Sequence, residues 1–197
     1  MRETPSCTYS ARMSASSITS KRCGARIGLE KSAKVEAMRL TLVCVGKLKA
    51  GPERLLFERY FKRLTEGARG VGFASVDLRE IDESRARRPG ERRAEEGAAI
   101  LAAVPRGGAL VLLDERGPST TSEEWAADLG RARDASLAAY AVAIGGPDGL
   151  DPSLRGAAHR IVSFGSMTWP HQLVRVMAGE QLYRAITILA GHPYHRR

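Results

Sequence analysis

Four short runs of this 197-residue chain carry residue types suited to chemistry. Asp114-Glu115-Arg116-Gly117 follows an apolar stretch, and so do Gly145-Gly146-Pro147-Asp148-Gly149-Leu150 and Gly165-Ser166-Met167-Thr168-Trp169-Pro170-His171. The fourth is the ending His192-Pro193-Tyr194-His195-Arg196-Arg197. Glycines in such loops permit positive φ and close approach of backbone to a ligand. The Gly145–Gly149 run has neither the GxGxxG spacing of a dinucleotide site nor a following GK[ST], so it matches neither phosphate loop. A plain turn into a helix at Asp151-Pro152 explains it equally well. In the third run, backbone groups can read an adenine while Met167 and Trp169 pack around it; Trp169 in the core is the plainer alternative. His192 and His195 lie three apart with no CxxC and no close acid, so no metal is expected there.

The elements that must hold these runs alternate. Leu40–Val45 reads as a buried strand. Pro52 to about Glu66 reads as a helix, with proline in its first turn and Leu55, Leu56, Tyr60, Phe61 and Leu64 on one side. Val71–Leu78 is a second strand. The charged stretch Ile81–Arg93, broken by Pro89-Gly90, is a solvated face or an RNA-facing loop, and it leads into a helix over Ala94–Val104. Ala109–Leu113 is continuous and apolar, as a central parallel strand is. Thr120 or Thr121, with Glu123 or Glu124 three residues on, makes a capping box for the next helix. Ala138–Ile144 is a strand, Asp151-Pro152 opens a short helix, and Arg160–Phe164 is the last strand. From His171 a helix carries Leu173, Val176, Met177, Leu182, Ile186 and Leu189 and stops at Gly191, with Pro193 beyond. This alternation predicts an α/β fold, a parallel sheet with helices on both faces. Ligands of open parallel sheets bind beyond the carboxyl ends of the strands, which brings the first three runs to one place.

Residues 1–37 follow no apolar period and hold seven basic and three acidic residues. Such a segment buries too little apolar surface to offset its ordering entropy. It is read as a disordered extension, with organellar targeting a further reading, and the domain as residues 38–197. Of the net charge of +9, +5 stays on that domain. The excess suits a polyanionic partner. No run approaches the roughly 18 apolar residues of a membrane span. Cys7, Cys23 and Cys44 form no framework, and Cys44 reads as a small buried thiol, so a reducing compartment, the cytoplasm, is expected.

Several of these runs, taken in order, resemble one family. They are Leu42–Lys49 (read VxVGKLK), Leu113-Asp114, Ile144–Leu150, Met167–Val176, Glu180–Ala185 and His192–Arg196. Together they are similar to the ribosomal RNA large subunit methyltransferase H family over residues 38–197. The resemblance implies a SPOUT-class enzyme that methylates N3 of a pseudouridine in ribosomal RNA, with its C-terminal part threaded into a trefoil knot. It implies S-adenosyl-L-methionine held by Leu113, Gly145 and the run Phe164, Gly165, Ser166, Met167, Thr168 and Trp169. It also implies a homodimer built on the last helix, with each RNA site shared between subunits. A non-catalytic RNA-binding or ribosome-assembly factor of the same fold is the alternative.

Methyl transfer from a sulfonium asks for alignment of the nucleophile and removal of one proton. His195 suits the base, since an unperturbed imidazole titrates near 6.5. Tyr194 can stack on the RNA base, and Arg196 can hold a phosphate or a developing anion, as can Arg175 and Arg184. Those two arginines are also explained by ordinary helix-surface pairing. His171, at the start of the last helix, is taken with them as an RNA contact. The residues after Pro193 are not needed to finish the helix, so the tail is expected to add little stability.

Overall fold

The computed structural model describes residues 37–196. Residues 1–36, and with them nearly all of the expected extension, lie outside the described residues. Five strands form one sheet in the order β2-β1-β4-β3-β5, with every pair parallel. They are β1 (Met38–Val45), β2 (Phe73–Ile81), β3 (Ala109–Leu113), β4 (Ala139–Ile144) and β5 (Arg160–Val162). The helices are α1 (Pro52–Ala68), α2 (Pro89–Ala103), α3 (Ser122–Asp134), α4 (Leu154–Ala157) and α5 (His171–Leu189).

Residues alternate between the two faces of each strand. Leu40, Leu42 and Cys44 of β1 join a core with α1, α3 and α5, whereas Val43 and Val45 join a second core with Ile100 of α2 and Leu154 of α4. Central strands β3 and β4 are buried throughout, as their continuous apolar runs predict. Burial pushes the Cys44 thiol up to about 12, so it packs as an inert small hydrophobe.

Four of the boundaries that depart from the expectation do so for a local reason. Residues Arg69–Val71 form a 3₁₀ turn closed by Gly72 at φ 90°, so β2 begins at Phe73 rather than Val71. Its far end runs on to Ile81, which pairs with Val45. Helix α2 starts at Pro89 instead of Ala94, because proline at the first helical position gives up no intrahelical hydrogen bond. Strand β5 stops at Val162, since the Ser163 hydroxyl donates to the Gly165 carbonyl at 2.7 Å and turns the chain. The capping box falls on Thr121 and Glu124, with reciprocal bonds of 3.1 and 3.0 Å.

Helix α5 is used differently from the expectation. Val176, Ala178, Leu182, Ala185 and Ile186 are buried within the protomer against α1 and α3. A Cβ on Gly179 would sit 3.3 Å from the Phe57 ring, and one on Gly67 would sit 2.8 Å from Ile186. Val176, Leu182 and Ile186 of the expected stripe are therefore core, so Ile186 is not available to a partner, whereas Leu173 stays exposed. Arg175 is a second correction. Its side chain is 1% exposed and cannot reach RNA. It donates to Glu80 Oε1 at 2.6 Å and to the Gly46 carbonyl at 2.8 Å, joining α5 to the ends of β1 and β2. No helix among the described residues is long and apolar enough to cross a membrane.

Candidate functional site

The loops after β3, β4 and β5 meet the start of α5 around a cavity of about 410 Å³. That volume lies within the roughly 300–1,000 Å³ of small-ligand sites. Of the eight residues expected at a cofactor, Leu113, Gly145, Phe164, Gly165, Met167, Thr168 and Trp169 line it. Ser166 is exposed and does not. His171 and Val174 close the α5 side, so His171 belongs with this cavity rather than with Arg184. Met167 is 68% and Trp169 40% exposed, so Trp169 is a cavity wall and not core.

The loop after β4 is held tightly from behind. A Cβ on Gly145 would lie 2.9 Å from the Gly149 carbonyl carbon and 3.0 Å from the Leu150 nitrogen, because the loop folds back on itself. Gly149 sits at φ 83°, where a side chain would be strained. Arg92 of α2 grips Asp148 in a fork, Nε to Oδ2 at 2.6 Å and Nη2 to Oδ1 at 3.0 Å, and so holds that carboxyl below its ordinary range. Below the loop lies Glu96, 5% exposed, whose Oε1 accepts the Ser84 N–H at 3.0 Å. Burial pushes its carboxyl above its ordinary value.

The other loops are fastened in the same manner. Arg155 donates to Asp114 at 2.7 Å, and the Thr168 hydroxyl donates to Glu115 at 2.8 Å. Each acid at the cavity therefore has a partner within the protein. Replacing Gly145 with Val should loosen binding of S-adenosylhomocysteine by at least about tenfold, the effect of roughly 1.4 kcal/mol of loop distortion. Unchanged affinity in a calorimetric titration would show that the fold-back of this loop does not shape the site.

The C-terminal residues are packed, contrary to the expectation of a tail that adds little. Tyr194 donates to Glu180 Oε1 at 3.1 Å, meets the Tyr183 ring edge-on at 4.8 Å, and lies under the Arg184 guanidinium at 5.0 Å. Arg184 also pairs with Glu180, as their i,i+4 spacing predicts. Burial first, then the Glu180 carboxylate, pushes the Tyr194 phenol up to about 12. His195 Nε2 is 2.9 Å from Glu123 Oε1 at the first turn of α3. The Glu123 carboxyl is held below its ordinary value by its own backbone N–H and then by His195. Arg196 is exposed. The structure thus gathers Tyr194, His195 and Arg184 into one cluster, and none of them lines the cavity of its own protomer.

Arg92 and Arg93 were hidden in the charged stretch, and Glu96 in the helix that follows it. Spacing offered a signal: counting back from Ile100 by helical steps places Glu96 and Arg92 on one side and Gly97 and Arg93 beside them.

The sequence model of the family described as "Predicted SPOUT methyltransferase" matches residues 38–195. A protein of Rhodopseudomonas palustris (strain HaA2), named ribosomal RNA large subunit methyltransferase H, is 60% identical over 159 residues, covering 81% of this chain and 99% of that protein. The protein of that name from Methylocella silvestris is 57% identical over the same span and the same shares. Among solved structures, a probable methyltransferase from Bordetella pertussis Tohama I has a TM-score of 0.42 at 14% identity, over 77% of this chain and 96% of that one. With the family model spanning its whole described domain and relatives this similar along nearly their full length, the chain belongs to the SPOUT methyltransferases and, within them, to the ribosomal RNA large subunit methyltransferase H family.

Proposed function

We propose that this protein transfers a methyl group from S-adenosyl-L-methionine to N3 of a pseudouridine in large-subunit ribosomal RNA. The observation that carries the reading is the meeting of three loops on one cavity, with Leu113, Gly145 and Phe164–Trp169 in its walls, in a chain of this family. The residues fit the cofactor. Apolar and backbone surface suits an adenine, the glycine at 145 lets the loop fold back on itself and present its backbone at the wall, and Arg93 adds a cationic side chain to the lining. When bound, S-adenosylmethionine supplies a methyl group on a sulfonium, open to in-line attack.

The chain's own residues orient and deprotonate. With Nε2–H donating to Glu123, the pairing that orients a catalytic histidine, His195 presents Nδ1 as an acceptor; Arg184 Nη1 faces it at 3.5 Å, and the imide N–H takes that place when the base is bound. Tyr194, fixed by Glu180 and Tyr183, offers a ring for stacking, and Arg184, Arg196 and His171 offer positive charge to the RNA.

Because the cluster does not line its own protomer's cavity, a homodimer in which each tail serves its partner's cavity completes the site. Exposed Leu173 on α5 and Leu55 and Leu56 on α1 are apolar surface for that contact. Residues 114–119 run beside 162–163, a closeness that goes with the threading expected of the family. Asp114 N–H donates to the Val162 carbonyl at 3.1 Å and Ser163 N–H to the Pro118 carbonyl at 3.0 Å, and the Ser163 hydroxyl oxygen lies 3.2 Å from the Glu115 carbonyl. The cytoplasm, where ribosomes are found, is the compartment that goes with this reading.

Residues 38–197 carry the activity alone in this reading. A chain beginning at Met38 should methylate at the rate of the full chain, within about twofold by single-turnover assay. A large loss would show that residues 1–37 take part.

A further inference from the structure

Two arginines line the cavity among the described residues, Arg93 and Arg116. Arg116 is exposed at the rim. Arg93 is partly buried in the wall, and its Nε is buried with no hydrogen-bond partner. The Nε of Arg175 is buried and unpartnered as well, so what sets Arg93 apart is that it lines the cavity and makes no hydrogen bond or ion pair among the described residues. The neighbouring acids do not supply one. Asp148 is occupied by Arg92, and Asp151 accepts from the backbone and hydroxyl of Ser153. Asp114 and Glu115 are likewise engaged, by Arg155 and Thr168. The cavity thus offers one partly buried guanidinium beside carboxylates that are already matched.

We propose that Arg93 binds the carboxylate of the methionyl portion of S-adenosylmethionine. The inference rests on the cofactor reading above and adds the subsite that holds the amino-acid end. Within that ligand the adenine and ribose are uncharged, and the methionyl carboxylate is its anion. A planar guanidinium matches a carboxylate with two parallel N–H···O bonds. Position favours this over an RNA phosphate. Arg93 stands on α2 against the loop after β4, across the cavity from Phe164–Trp169, so a ligand with its base on one wall extends its other end toward it. Its Nε is shielded by the protein, so the contact with a ligand is made by the rest of the side chain, which lines the cavity.

The test is calorimetric titration of the full chain with S-adenosylhomocysteine and with 5′-methylthioadenosine, which lacks the amino-acid portion. Arg93→Ala should weaken S-adenosylhomocysteine by about 10–100-fold, the range for a charge-assisted hydrogen bond. It should leave 5′-methylthioadenosine within about twofold. Arg93→Lys should recover part of the loss, which separates a charge contact from a merely packed side chain. An equal loss for both ligands would make Arg93 a prop of the wall and overturn the inference, as would no loss for either. If the variant binds both ligands normally but loses affinity for ribosomal RNA, Arg93 serves a phosphate instead. A parent chain that binds neither ligand would bring down the cofactor reading itself and this inference with it.

Discussion

Deleting Tyr194 to Arg197 should lower methyl transfer by about 10²–10⁴-fold, the usual contribution of a positioned acid–base group, while S-adenosylhomocysteine affinity stays within about twofold. The separation follows from geometry. The tail docks on Glu180, Tyr183 and Glu123, and the cavity is lined by other residues. The same docking means that deletion costs some stability, on the order of 1–2 kcal/mol for the lost aromatic pair and hydrogen bonds. His195→Gln is the sharper variant, because the amide can keep a hydrogen bond to Glu123 yet cannot take a proton. It should lose rate without losing thermal stability. A full rate in both variants would remove His195 from the reaction. A parallel fall in cofactor affinity would mean that the tail closes over the cavity, so the two would not be separate sites.

Arg175→Ala should destabilise the fold by about 3 kcal/mol, the low end of what breaking a buried ion pair costs. The low end applies because Glu80 keeps 31% of its side-chain surface in solvent, whereas Arg175 has 1%. For a domain of this size the melting temperature should fall by on the order of 10 °C. Removing both charges with Arg175→Met and Glu80→Leu should recover part of that, since no carboxylate is then left without its partner. If Arg175→Ala melts normally and loses RNA affinity, the arginine faces RNA and its buried pairing is wrong.

Much of the architecture was legible because it depends on local periodicity. Apolar runs of five or six residues, such as Ala109–Leu113, and the helical spacing of α5 identify strands and helices without tertiary information. The parallel-sheet rule then put the three loops at one end of the sheet, where they meet around the cavity. What escaped was the set of pairs distant in sequence. Arg175 meets Glu80 across 95 residues, and Arg92 meets Asp148 across 56. An arginine that is buried against a distant acid looks, in one dimension, like any surface arginine. Gly145 was legible as a ligand-facing glycine, but its tightest neighbour is its own loop. The tail escaped for the same reason: partners on α3 and α5 hold it, and nothing in His192–Arg196 reveals them.

The central claim is tested most directly by incubating the full chain with methyl-labelled S-adenosylmethionine and ribosomes that lack the modification. The large-subunit RNA is then digested and its nucleosides separated. The account predicts label in one nucleoside, 3-methylpseudouridine, at about one methyl per ribosome, as one site on each RNA requires. Label in another nucleoside would contradict the assigned target. No label, from a protein that binds ribosomes but not S-adenosylhomocysteine, would make it a binding factor that keeps the fold without the reaction.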